Sequence, residues 1–112
     1  MTIDPESPAG QLLRACWRGD LKRVRKAIDE GADVDFLPED TGLGALHLAI
    51  GRDHIDVVKF LVREAGATLQ PDGFGRQPTI IAAQCRVSAA LCDFVVELEE
   101  EAASLTLRDD HA

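Results

Sequence analysis

His47 and His54 are the residues of this chain most suited to holding a metal ion. They stand seven positions apart, across a turn between two helical stretches, and no cysteine or further histidine lies near either. Structural zinc needs four ligands, usually in paired short spacings, and that pattern is absent. Cys85 and Cys92 fall on successive helices while Cys16 is far away, so the thiols read as small hydrophobes rather than a redox pair. No Gly-rich phosphate loop, nucleophile elbow or clustered acid–base pair appears. The chain therefore reads as having no catalytic site, metal or cofactor.

Two other groups could bind rather than react. Arg14, Arg18, Lys22, Arg23, Arg25 and Lys26 make a basic stretch in an acidic chain, with Lys22, Arg25 and Lys26 on one exposed stripe if the segment is helical. The stretch suits either a phosphate group or a solvated end of the fold balanced by Asp29, Glu30 and the last part of the chain; the second reading is the simpler. Trp17 beside Arg18 has the composition of an interface anchor. It could equally fold back as a lid over the open edge of a core.

What positions these residues is a repeat. Ala15 and Ala49 are 34 apart, Ala82 comes 33 later, and Gly42 and Gly75 are again 33 apart. Leu21, Val24 and Ile28 form an apolar helical face after the first copy, as do Ile55, Val58 and Leu61-Val62 after the second. A period of this length means units that bury their faces only against their neighbours.

The copies resemble ankyrin repeats over roughly Gly10 to Ala103. The second carries the resemblance best, in Gly42-Leu43-Gly44-Ala45-Leu46-His47-Leu48-Ala49, then His54-Ile55-Asp56-Val57-Val58, then Glu64-Ala65-Gly66-Ala67. The first copy matches in Asp29-Glu30-Gly31-Ala32-Asp33 and the third in Asp72-Gly73-Phe74-Gly75-Arg76-Gln77-Pro78. Ala45 and Ile80 replace the family's usual Pro and His, Arg63 reads as an insertion, and the third copy ends in Glu97-Leu98-Glu99-Glu100-Glu101 without a Gly-Ala-Asp turn. The resemblance implies an all-α ankyrin-repeat solenoid of three helix–turn–helix units with projecting loops, its terminal copies acting as polar caps. It also implies that His47 and His54 tie neighbouring repeats and cap the second helix.

Along the chain, residues 1–9 are expected to be loose. The helices are expected at Gln11–Arg18, Leu21–Glu30, Ala45–Arg52, Ile55–Glu64, Pro78–Cys85 and Ser88 to about Ala103, followed by a frayed tail over 104–112. Asp20 is placed to cap the second helix and Gly31 and Gly66 to stop the helices before them. The 112 residues make one domain, with repeats near 10–41, 42–74 and 75–103. The chain reads as complete, with its own initiator Met and no attached effector domain. Its 46% apolar content includes only 4% aromatic and no Tyr, so Ala and Leu supply the packing.

The net charge of −8 disfavours nucleic acid and anionic membranes and favours a partner with a basic surface. No segment is long and apolar enough to span a bilayer, the N-terminus is not a signal peptide, and three unpaired cysteines suit a reducing, cytoplasmic compartment. Nine Arg against three Lys, with abundant Ala, hints at a GC-rich, bacterial genome.

The expected function is a non-enzymatic protein-binding module that neutralises or regulates one protein partner, with an immunity or antitoxin-like protein as the specific form. The resemblance places the surface on the concave inner helices and loop tips: Trp17, Arg18, Arg52 and Gln84 on the helices, and Phe36, Glu39, Asp40, Phe74 and Arg76 on the loops. Phe36 suits packing between repeats as well. The alternative is a homo-oligomeric structural subunit, or an accessory subunit of an enzyme complex; the chain would be a monomer or a homodimer.

Overall fold

Ala15, Ala49 and Ala82 are 3%, 0% and 1% exposed, each on the first helix of a pair. A methyl group at these contacts lets neighbouring helix axes come close, which is why the repeat marks itself with alanine. A computed structural model of the chain describes residues 6–109. Among them are six helices and no strand: α1 Pro8–Arg18, α2 Leu21–Asp29, α3 Ala45–Gly51, α4 Ile55–Arg63, α5 Pro78–Gln84 and α6 Ala89–Asp109. The pairs α1/α2, α3/α4 and α5/α6 stack through their first helices, α1 on α3 and α3 on α5, while α2 rests on α4. This is the all-α solenoid that the repeat implies. One core runs through it, from Leu12, Cys16 and Val24 through Ile50, Val57 and Leu61 to Leu91 and Val95. Fully burying each such aliphatic side chain stabilises the fold by about 1.5–3 kcal/mol.

The ends of the stack differ from the sequence reading. α1 begins at Pro8 rather than near Gln11, because Ser7 accepts a hydrogen bond from Gly10 N–H and Pro8 occupies a first-turn position where its missing N–H costs nothing. At the other end α6 does not stop near Ala103 but continues to Asp109. From Ala89 onward there is no glycine or proline to break it. The remainder of the expected loose ends, 1–5 and 110–112, lies outside the described residues.

The extra residue of the second repeat lies in a turn rather than at Arg63. α2 and α4 are both 9 residues long. Gly31 follows the end of α2 by two positions and Gly66 follows the end of α4 by three, so the insertion is absorbed at Ala65, after the helix. Gly31 and Gly66 have φ of +102° and +75°, the left-handed conformation that ends a helix. Asp20 caps α2 as expected, accepting from Arg23 N–H at 3.2 Å.

The loops before α3 and α5 are stitched together. Gly73 N–H donates to the Gly42 carbonyl at 2.8 Å. Thr68 donates both its N–H and its hydroxyl to the Asp35 carboxylate, at 2.8 and 2.9 Å, and Gln70 Nε2 donates to the Asp35 carbonyl at 2.9 Å.

Candidate protein-binding surface

Both rings of the histidine pair are engaged in hydrogen bonds that hold the stack together. His47 is 3% exposed. Its Nδ1 accepts from Gly44 N–H at 3.1 Å, so Nε2 carries the proton and donates to the Gln70 carbonyl at 2.8 Å, fastening the second loop to α3. His54 Nε2 lies 3.0 Å from the Trp17 carbonyl and ties the second repeat to the end of α1. The expected capping role for His54 is corrected: it occupies the N-cap position of α4 but makes no side-chain cap bond, because its ring reaches back to the preceding repeat.

Trp17 lies outside the buried core. It is 49% exposed, and the Arg52 guanidinium lies 4.3 Å from its ring centroid. Both stand at the C-terminal ends of their inner helices, one repeat apart, so the stacking of α1 on α3 brings a flat ring under a flat cation. The equivalent contact one repeat on joins Gly51 to Cys85, where a Cβ added at Gly51 would sit 3.5 Å from the thiol sulfur.

Phe74 and Arg76 are set by one buried carboxylate. The Asp72 side chain is 0% exposed. Oδ1 accepts from the Phe74 and Arg76 backbone N–H groups, both at 2.9 Å, and Oδ2 accepts from Arg76 Nε at 2.7 Å. Burial pushes the Asp72 carboxyl up, but these bonds and the positive charge of Arg76 outweigh it and hold the group below the usual aspartate value. The turn so closed leaves Phe74 73% exposed at the loop tip. Arg76 Nη1 continues to Gln84 Oε1 at 3.0 Å, carrying the loop back onto α5.

Among the candidate residues, then, Trp17 meets Arg52, and Arg76 meets both Phe74 and Gln84. Phe36, Glu39 and Asp40 stay on the first loop, near the N-terminal end of α3, the opposite end from Arg52. Phe36 is 37% exposed, while the Asp40 carboxylate accepts from the neighbouring Thr41 N–H. Arg18 is exposed but faces elsewhere. With Gln11 and Arg14 of α1 and Lys22, Arg23 and Lys26 of α2 it lines an open cleft of about 710 Å³, whose acids are Glu6 and Asp20.

The basic stretch does not behave as a single stripe. Arg25 leaves Lys22 and Lys26, lies 4.5 Å over the Phe60 ring and pairs with Glu64 at 3.6 Å. Arg23 pairs with its own N-cap, Asp20, at 3.3 Å. Among the described residues no carboxylate pairs with Arg14, Arg18, Lys22 or Lys26. Asp29, Glu30 and the acids of the last repeat make no ion pair with these four cations among the described residues; the last repeat is at the far end of the stack. Burial without a charged partner pushes the Cys16 thiol up to about 12, which makes it an inert core residue.

Residues 12–109 match the family described as ankyrin repeats in three copies. The chain belongs to the ankyrin-repeat family. Among similar proteins, the mouse RelA-associated inhibitor is 32% identical over 103 residues, covering 92% of this chain and 12% of that protein. The potassium channel AKT1 of Arabidopsis thaliana is 31% identical over 83 residues, 74% of this chain and 10% of its own. Human ankyrin repeat domain-containing protein 63 is 38% identical over 73 residues, 65% of this chain and 19% of its own. The chain thus spans less than a fifth of the length of each of these relatives. Ankyrin repeats form a protein-interaction module, and among the described residues no helix is long and apolar enough to cross a membrane.

Proposed function

We propose that this ankyrin chain is a non-enzymatic binder that recognises one protein partner and neutralises or regulates it by covering its surface. The unit of the proposal is the whole chain, 1–112, with repeats near 10–41, 42–74 and 75–103. The observation that carries it is the Trp17–Arg52 stack: a half-exposed indole held flat by a guanidinium 4.3 Å away. Aromatic and arginine side chains dominate the energetics of protein interfaces, and a ring already fixed in place loses little entropy when a partner covers it. Arg76 and Gln84, fastened to each other, and the exposed Phe74 would extend the same surface. Arg18 would flank it, and Phe36, Glu39 and Asp40 would form a rim on the first loop.

The mouse relative is by name an inhibitor associated with another protein, and inhibition by coverage is the mode proposed for this chain. In a bacterial setting, with which the Arg-rich, Lys-poor composition agrees, an immunity or antitoxin-like role is its specific form. A cytoplasmic setting agrees with three free cysteines. The net charge of −8 favours a basic partner, and Glu39 and Asp40 are the groups that would meet it.

The test is Trp17→Ala. An extract of the native host passed over the immobilised protein should yield a partner that the variant holds more weakly by about 2 kcal/mol or more, with the unfolding midpoint nearly unchanged. Stability lost with affinity kept would make Trp17 a lid on the core and remove it from the surface.

A further inference from the structure

A spacing of 34 residues superimposes the second helices of the three repeats. Asp20, His54 and Ser88 occupy their N-caps. Arg25, Lys59 and Asp93 are therefore equivalent, as are Asp29, Arg63 and Glu97, and so are Lys26, Phe60 and Phe94. The two internal junctions share the cation at the first of these positions, whereas the second holds Asp29 in one and Arg63 in the other. Arg25 lies 4.5 Å from the Phe60 ring, and Lys59 and Arg63 lie 5.5 and 4.9 Å from the Phe94 ring. Each junction lays at least one cation of one repeat on the phenylalanine of the next.

At the two open ends of the stack both members of this contact change. The last repeat carries Asp93 and Glu97 where the preceding one carries its cations. The first repeat carries Lys26 where the later ones carry phenylalanine. All three are exposed, and none has an ion pair among the described residues. Around Lys26 the cleft adds Arg14, Arg18, Lys22 and Arg23. Near the carboxylates, Val96 is 43% exposed. Ile80, which stands where His47 is covered by the loop after α4, is 46% exposed, and no loop among the described residues covers it.

We propose that the chain binds a second copy of itself head to tail, the carboxylate end of one stack seating on the basic cleft of the next. Asp93 and Glu97 would reach Lys26 and Lys22, replacing the cation-on-ring contact of the internal junctions with ion pairs. Ile80 and Val96 would supply the apolar centre of the junction. Such a contact is heterologous, so it adds copies in a row rather than closing a symmetric pair. Two molecules of charge −8 repel at long range. At about 0.1 M salt the screening length is about 10 Å, so that repulsion is muted while pairs in direct contact survive; at about 1 M the pairs weaken too.

Sedimentation and light scattering test this on the intact chain. At about 0.1 M salt the average mass should rise above 12.1 kDa as concentration increases, and should fall back at about 1 M. Lys22→Glu with Lys26→Glu, and separately Asp93→Lys with Glu97→Lys, should each give a monomer. Mixing these two variants should restore association, because opposite charges face each other again at every junction. None of the four residues belongs to the partner surface proposed above, so partner capture should persist in both variants. Circular dichroism and unfolding midpoints confirm that each is folded, and Lys26→Gln and Glu97→Gln replace any reversal that is not. A wild type that stays monomeric throughout overturns the proposal, even if a free glutamate-rich peptide binds the cleft. So does association that survives both reversals, or variants that fail to associate when mixed.

Discussion

Asp72 is a carboxylate buried for the sake of a turn. Its depressed pKa means that its stabilising contribution is fully present above the value of an unfolded aspartate, about 4, and is lost as pH falls through the lower folded value. Asp72→Asn keeps the shape but not the charge. It should cost about 1–3 kcal/mol at neutral pH. In denaturant titrations across the acid range, the gap between variant and wild type should close as the wild-type carboxylate becomes protonated. A gap that stays constant down to the lowest pH at which the protein folds would mean that the charge contributes nothing. Cys16 offers a second check. With its thiol pushed up to about 12 and its side chain buried, it should resist alkylation in the native protein, react once the protein is unfolded, and lag behind the exposed Cys85.

At the scale of elements, the glycines separate two kinds of constraint. Gly66 has φ +75° with nothing within 4 Å of an added Cβ, so Gly66→Val should cost upwards of about 1 kcal/mol through backbone strain alone. Gly42 has φ +68°, and an added Cβ would lie 2.7 Å from the Gly73 Cα. Gly42→Ala must therefore both strain its own turn and push apart the loops joined by the Gly73–Gly42 hydrogen bond. It should lower the denaturant midpoint more than Gly66→Ala does. Equal losses would show that the loop-to-loop contact adds nothing to the stack. The sequence made the left-handed stop at Gly66 legible, because a helical pattern ending in glycine has few other readings. It did not reveal the Gly42–Gly73 contact, which exists only once two repeats are superposed.

At the scale of the molecule, stability comes from one continuous apolar core crossed by repeat-to-repeat hydrogen bonds. Both ring nitrogens of His47 are occupied, one by Gly44 N–H and the other by the Gln70 carbonyl. A chelator should accordingly leave the thermal midpoint unchanged, and a fall of several degrees would reveal a metal that the stack depends on. The 34-residue period, the buried alanines and the turn glycines determined the solenoid from sequence alone, because a repeat that cannot bury its own face must stack on its neighbour. Caps such as Asp20 were readable for the same local reason: the side chain and the N–H it accepts from are three residues apart. Tertiary structure alone decided which charges meet. Arg25 and Lys26 are neighbours in sequence, yet one lies on Phe60 and pairs with Glu64 while the other opens into a cleft at the end of the stack. Adjacent side chains on a helix point about 100° apart, and only the position of the next repeat determines which direction is covered.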